Sequence, residues 1–126
     1  MKSPLHSLIV SACNEYAPTD QLCPCIVSAM AKNDSLFATA GVGARTKNPG
    51  NMRCVADIFM PNGTDCVGSL SGSFSAFQTL EEGVRQNVAL YIRKYAGKAP
   101  DEVTRVWAGS PRSEGYWKDI RSCYPT

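Results

Sequence analysis

The chain has 126 residues, a length that suits one domain with one core and leaves no room for a second. Its 44% hydrophobic and 19% charged residues are those of a globular protein, which excludes wholesale disorder. A net charge of +2 is too mild to draw a nucleic acid, and the longest uncharged apolar stretch, Leu8 to Cys13, is too short to cross a bilayer.

The apolar residues at the N-terminus form a shorter run than an export signal needs, and Pro4 and His6 interrupt it, so it reads as structure rather than as a signal. Ser3 can cap a helix with Pro4 at its first position, and Leu5, Leu8, Ile9, Ala12, Cys13 and Tyr16 then share one face. Ala17-Pro18-Thr19-Asp20 ends it. A second helix is expected from Cys23-Pro24 to about Asn33, with Leu22, Ile26, Ala29 and Met30 on one side. The segment 38–51 is glycine-rich and polar and reads as loop. Strands are expected around 52–59 and 66–70, joined at Asn62-Gly63, with a short return strand through 74–77. Thr79-Leu80-Glu81-Glu82 is a capping box opening the strongest helix, whose stripe runs Leu80, Val84, Val88, Tyr91, Ile92 and Tyr95 up to Gly97. Two short helices, about 100–108 and 113–122, close the chain. The fold class expected is α+β, a single domain over 1–126, mainly helical with a small antiparallel hairpin or three-stranded sheet.

Six cysteines point to disulfides, supplementing a modest core in an oxidising compartment. Cys54 and Cys66 flank the expected hairpin and form the first expected pair. Cys13 and Cys123, near the two ends, form the second. Cys23 and Cys25 are too close-set to bridge each other, and Cys-x-Cys with one histidine lacks the spacing of the common zinc sites, so no metal is expected.

No phosphate-binding loop or nucleophile elbow is present, and His6, the single histidine, stands at the start of an amphipathic helix where it is a poor partner for a cysteine nucleophile. Carboxylates remain. Asp20, Glu81, Glu82, Asp101, Glu102 and Glu114 lie at helix N-termini, where the dipole favours a negative charge, and Asp119 is assigned to a solvated face. Asp34 is different. It falls at the C-terminal end of the second helix, where the dipole disfavours an ionised carboxylate and raises its pKa. A carboxyl group still protonated near neutral pH is what glycosidic cleavage asks of a general acid; the competing reading is a solvated helix-end aspartate.

The segment from Ala29 to Phe37, followed by Ala44-Arg45-Thr46-Lys47-Asn48-Pro49-Gly50-Asn51-Met52-Arg53, resembles phage-type members of the lysozyme-like superfamily. Those proteins place a helix ending in Glu-Ser, then a loop, then an Asn-Asn-Pro-Gly-Asn-aliphatic-Arg signature. Phe74-Ser75-Ala76-Phe77 with Glu82-Gly83-Val84-Arg85, the tyrosines Tyr91 and Tyr95, and Val106-Trp107 with Tyr116-Trp117 extend the likeness over roughly 25–121.

The resemblance implies cleavage of peptidoglycan between N-acetylmuramic acid and N-acetylglucosamine, without a cofactor, with Asp34 at the position of the family's glutamate. Aspartate is shorter by one methylene, and misplacement on the order of 1 Å can cost about a hundredfold in rate. Glu15 and Glu82 are fallback acids. Substrate contacts are assigned to Ser35, Thr46, Asn48, Asn51, Arg53, Trp107 and Tyr116: amides for N-acetyl and hydroxyl groups, Arg53 for an anionic peptide stem, aromatic faces for pyranose rings. For Asn48 to Asn51 the competing role is a structural turn, and for the aromatics it is the core. A lysozyme needs a second carboxylate, and Asp57 is the candidate; a lytic transglycosylase needs one acid/base, which the single convincing carboxylate favours. The chain is expected to be a monomer acting outside the cytoplasm, in periplasm, cell wall or virion, and delivered by lysis or within a particle. The alternative function is a catalytically weak or inactive glycan-binding component of a virion or secretion apparatus.

Overall fold

The computed structural model describes residues 5–50, 65–69 and 72–124. Helix α1 spans His6–Tyr16, α2 Cys23–Ser35 and α3 Gly41–Thr46. Strands β1, Asp65–Ser69, and β2, Gly72–Ala76, follow, and α4 (Leu80–Lys94), α5 (Pro100–Ala108) and α6 (Glu114–Arg121) complete the chain.

The order reflects local chemistry. Pro24 and Pro100 occupy the first turns of α2 and α5, where a missing N–H costs nothing. The α4 cap forms as the sequence predicts, with Thr79 Oγ1 accepting the Glu82 N–H at 3.1 Å. Its reciprocal arm does not form, and Glu82 Oε1 is buried with no hydrogen-bond partner among the described residues. Lys47, Gly97 and Gly109 take positive φ at or just beyond the ends of α3, α4 and α5.

Helix α2 is the hub. It packs against α1, α3, α4 and α6, and Cys23, Ile26, Val27, Ala29, Met30 and Ala31 are all buried. Leu5, Ile9 and Ala12 come from the first helix and its start, Val84, Val88, Leu90 and Tyr91 from α4, Val103 from α5 and Ile120 from α6. A helix buried on most of its circumference is held by its neighbours rather than by propensity.

The α+β expectation is corrected: the protein is a small helical domain. Among the described residues, helices supply nearly all of the core. The extended structure among the described residues is a ribbon of two five-residue strands, antiparallel from Asp65↔Ala76 to Ser69↔Gly72. The expected strand 52–59, with its Asn62-Gly63 turn and Asp57, lies outside the described residues, as does the Ser3 cap. Within the supposed loop 38–51 the chain instead forms α3, despite two glycines, because α3 packs on α2 and β2.

The disulfides also differ. Cys13 pairs with Cys23 (Cα–Cα 5.9 Å) and Cys25 with Cys123 (5.7 Å), so the expected Cys13–Cys123 bridge is wrong. Two positions along a helix turn a side chain by about 200°, so Cys23 faces α1 while Cys25 faces the C-terminal segment. Cys54, and with it the Cys54–Cys66 pairing, lies outside the described residues. Asp119 is not on a solvated face either. It binds Lys32 Nζ at 3.1 Å and accepts from Asn33 Nδ2 at 3.0 Å, docking α6 on the end of α2.

Candidate functional site

The site begins where α2 stops. Leu36, Phe37 and Ala38 take φ of 49°, 58° and 64°, three successive non-glycine residues in the left-handed region. Each costs on the order of 1–2 kcal/mol, so the run needs support. Leu36 N–H donates to the Lys32 carbonyl at 3.1 Å and Phe37 N–H to the Ala31 carbonyl at 3.0 Å, closing the helix. The Ser35 carbonyl accepts from Thr39 at 2.9 Å and Ala40 at 3.0 Å. Ser35 Oγ accepts the Ala38 N–H at 2.8 Å and donates to the Pro49 carbonyl at 2.7 Å. Through that hydroxyl the end of α2 holds the turn at 48–50.

A second grip comes from α4. Asn87 Nδ2 donates to Asn48 Oδ1 at 3.0 Å, and the Gly50 N–H donates to Asn87 Oδ1 at 2.7 Å, all within the interior. Both ends of one side-chain amide are thereby satisfied, the condition for burying it without penalty. Gly50 has no room for a side chain: a Cβ there would stand 2.8 Å from Trp107 Cζ2 and 2.9 Å from Asn87 Oδ1. One turn earlier in α4, Gly83 lets the helix run against the Lys47 carbonyl, which a Cβ would overlap. The Thr46 carbonyl accepts the Phe77 N–H at 2.9 Å, joining this segment to the start of α4.

Asp34 lies half-buried beside this assembly. Trp107 Nε1–H, from α5, donates to its Oδ2 at 2.7 Å. Burial raises the Asp34 pKa and the Trp107 bond lowers it; burial wins, and the carboxyl is pushed up from 3.8 to about 7. Trp107 is itself fixed against Tyr95, with ring centroids 5.1 Å apart and planes tilted by 60°. The carboxyl therefore holds its proton far closer to neutral pH than an ordinary aspartate does.

Of the other residues expected at a site, Ser35 and Asn48 are buried and their bonds point inward, so they hold backbone in place. Thr46 is buried in the same segment. Tyr116 is half-buried and packs against the core, and Trp117 lies beneath the Arg112 guanidinium at 4.2 Å. Asn51 and Arg53 lie outside the described residues. Glu15 is engaged elsewhere, in a two-oxygen ion pair with Arg85 at 2.9 and 2.7 Å. The structure thus brings Asp34, Ser35, Asn48 and Trp107 together and adds Asn87, which the sequence reading missed. Its signal was present: Gly83 and Asn87 are four apart, so a gap and a polar group share the buried face of α4 with Val84, Val88 and Tyr91.

Among the described residues no three His, Cys, Asp or Glu side chains gather as metal ligands, and no described helix is long and apolar enough to cross a membrane. No protein-family model matches the sequence, and no curated protein is similar to it. Among solved structures, the chain is similar to one described as a type VI secretion system effector-immunity complex from Pseudomonas protegens. The match covers 94% of this chain and 82% of that one, with a TM-score of 0.62 and 10% sequence identity. At that identity the likeness shows a shared fold.

Proposed function

We propose that this chain cleaves the glycan strands of peptidoglycan between N-acetylmuramic acid and N-acetylglucosamine, with Asp34 as general acid. The observation that carries the reading is the Asp34 carboxyl, half-buried at the end of α2, held by Trp107 and pushed up to about 7. A general acid is most effective when its pKa lies near the working pH, because it is then both protonated and ready to give the proton up. The Trp107 N–H on Oδ2 fixes the orientation of the carboxyl that delivers the proton. One carboxyl of this kind suffices for the transglycosylase route, in which the muramyl 6-hydroxyl attacks and a 1,6-anhydro end forms. A lysozyme outcome requires a second carboxylate, the role expected of Asp57. Neither route needs a cofactor. The fold neighbour belongs to a type VI secretion system effector-immunity complex, which is compatible with a secretion-related protein that meets a protein partner.

The second reading, a glycan-binding component that no longer cuts, is favoured by the residue itself. Aspartate stands where the lysozyme-like relatives carry glutamate, and the Trp107 bond gives it a purely structural use. Digestion of purified peptidoglycan by the wild-type protein and by Asp34→Asn, with products read by mass spectrometry, separates the readings. Anhydro ends from wild type alone establish the transglycosylase, and reducing ends the lysozyme. Release by both proteins removes Asp34 from the mechanism. No release from either, with binding to intact sacculi, establishes the glycan-binding component.

A further inference from the structure

Of the two bridges, one is sealed and one is open. Cys13 and Cys23 are 1% and 0% exposed, inside the core. Cys25 is exposed and Cys123 half-buried. Cys25 also lines a cavity of about 320 Å³ with Gln21, Ser28, Asp119, Ser122 and the single histidine, His6. A small thiol has access to the Cys25–Cys123 sulfurs that it lacks at the other pair.

What the open bridge secures is α6. This helix has eight residues, too short to persist alone, and one fully buried apolar side chain, Ile120. Its side-chain bonds to α2 run from Asp119 to Lys32 and Asn33, two residues and one residue from the candidate acid, beside the close approach of Gly115 to Asn33. Helix α6 in turn packs against α5, which carries Trp107, and Tyr124 Oη donates to the Lys98 carbonyl at 2.7 Å just before α5 begins. The path from bridge to Asp34 is therefore Cys123, α6, α5 and the indole N–H.

We propose that the Cys25–Cys123 disulfide is a thiol-exchangeable latch that holds α6 and α5 in place, so that Trp107 grips Asp34 in an oxidising compartment and releases it where thiols prevail. A thiolate attacks one sulfur of the bridge and expels the other as thiolate, giving a mixed disulfide. A second thiol resolves this, so that one bridge and two small thiols become two protein thiols and one small disulfide. Oxidised glutathione or an oxidoreductase disulfide runs the same exchange backwards and closes the latch. A chain made among cytosolic thiols would thus carry a disassembled site until it left them. The consequence for cleavage rests on Asp34 being the acid; the link between bridge and indole does not.

The test treats the whole chain with reduced glutathione and follows three readouts. Alkylation with mass spectrometry is expected to label Cys25 and Cys123 while Cys13 and Cys23 remain joined. The Trp107 indole N–H, assigned with Trp117→Phe, is expected to exchange with solvent about tenfold faster or more once the bridge is open, with the helical circular dichroism retained. Muropeptide release should fall along with it, and Cys123→Ser should show the faster indole exchange and the lower release without reductant, with Cys25 alone labelled. A bridge that stays closed in glutathione overturns the proposal, and so does an open bridge with unchanged indole exchange. Collapse of the helical signal overturns it as well, because the bridge is then a staple for the entire fold. If the indole responds but the oxidised protein releases no muropeptide, the latch stands and the glycosidase reading falls.

Discussion

Replacing Asp34 by asparagine tests the electrostatics of the site without any substrate. In the unfolded chain the carboxyl titrates at its ordinary value of 3.8; in the folded protein it titrates at about 7. Below 3.8 both states are protonated and ionisation costs nothing. Between the two values the unfolded state loses its proton while the folded state keeps it, so stability falls as pH rises, and above about 7 the loss is complete. The separation corresponds to about 4 kcal/mol, an upper figure that local relaxation and water entry reduce. Asparagine has the same shape, accepts the Trp107 N–H and never ionises. Urea denaturation at a series of pH values should therefore show the two proteins nearly equal at pH 4, with the variant gaining steadily towards pH 8, by as much as about 4 kcal/mol. Other titrating groups are common to both proteins and cancel in the difference. A difference that does not change with pH, or one that favours wild type at pH 8, refutes the burial argument.

Trp107→Phe keeps a ring against Tyr95 but removes the N–H that favours the ionised carboxylate. Asp34 should then titrate higher than in wild type, read from its carboxyl carbon shift in NMR. Gly50→Ala places a methyl against Trp107 and Asn87, and should cost about 1–3 kcal/mol in urea denaturation while disturbing tryptophan fluorescence. Gly83→Ala meets the Lys47 carbonyl, a backbone atom that cannot swing aside. The expected cost is larger, about 3 kcal/mol or more, and a melting temperature equal to wild type would show that α4 and α3 can separate freely.

The helices were legible because each carries its own punctuation. Thr79 with Glu81 and Glu82 marks the start of α4, Pro100 and Gly109 bracket α5, and the sequence bounds of α2 fall two residues short of the observed end. Asp34 was legible as a helix-end carboxylate for the same local reason. What escaped notice depends on residues far apart in the chain. The Trp107–Asp34 bond spans 73 positions and the Asn87–Asn48 bond 39, and no local pattern encodes either. The left-handed run at Leu36–Ala38 was hidden because glycine normally announces that conformation and none is present there. The fold class was misjudged because turn and strand signals between 52 and 77 weigh heavily in a sequence, whereas the core among the described residues is built almost wholly by helices.

The placement of Cys23 and Cys25 on opposite sides of one helix has a consequence for how the chain matures. Exchanging their partners is open to an unfolded chain, whereas in the folded one it would require α2 rotated by about half a turn, its apolar face outward. The pairing therefore records the rotational phase of α2 at the moment of oxidation. Oxidation in urea should give a mixture of isomers, whereas oxidation after the buffer has let Ile26 and Met30 find the core should give one, as peptide mapping of the bridges will report. Cys13 in α1 and Cys123 beyond α6 are thus tied to positions two residues apart on α2, and a single isomer forms only when α2 is seated before both bridges close.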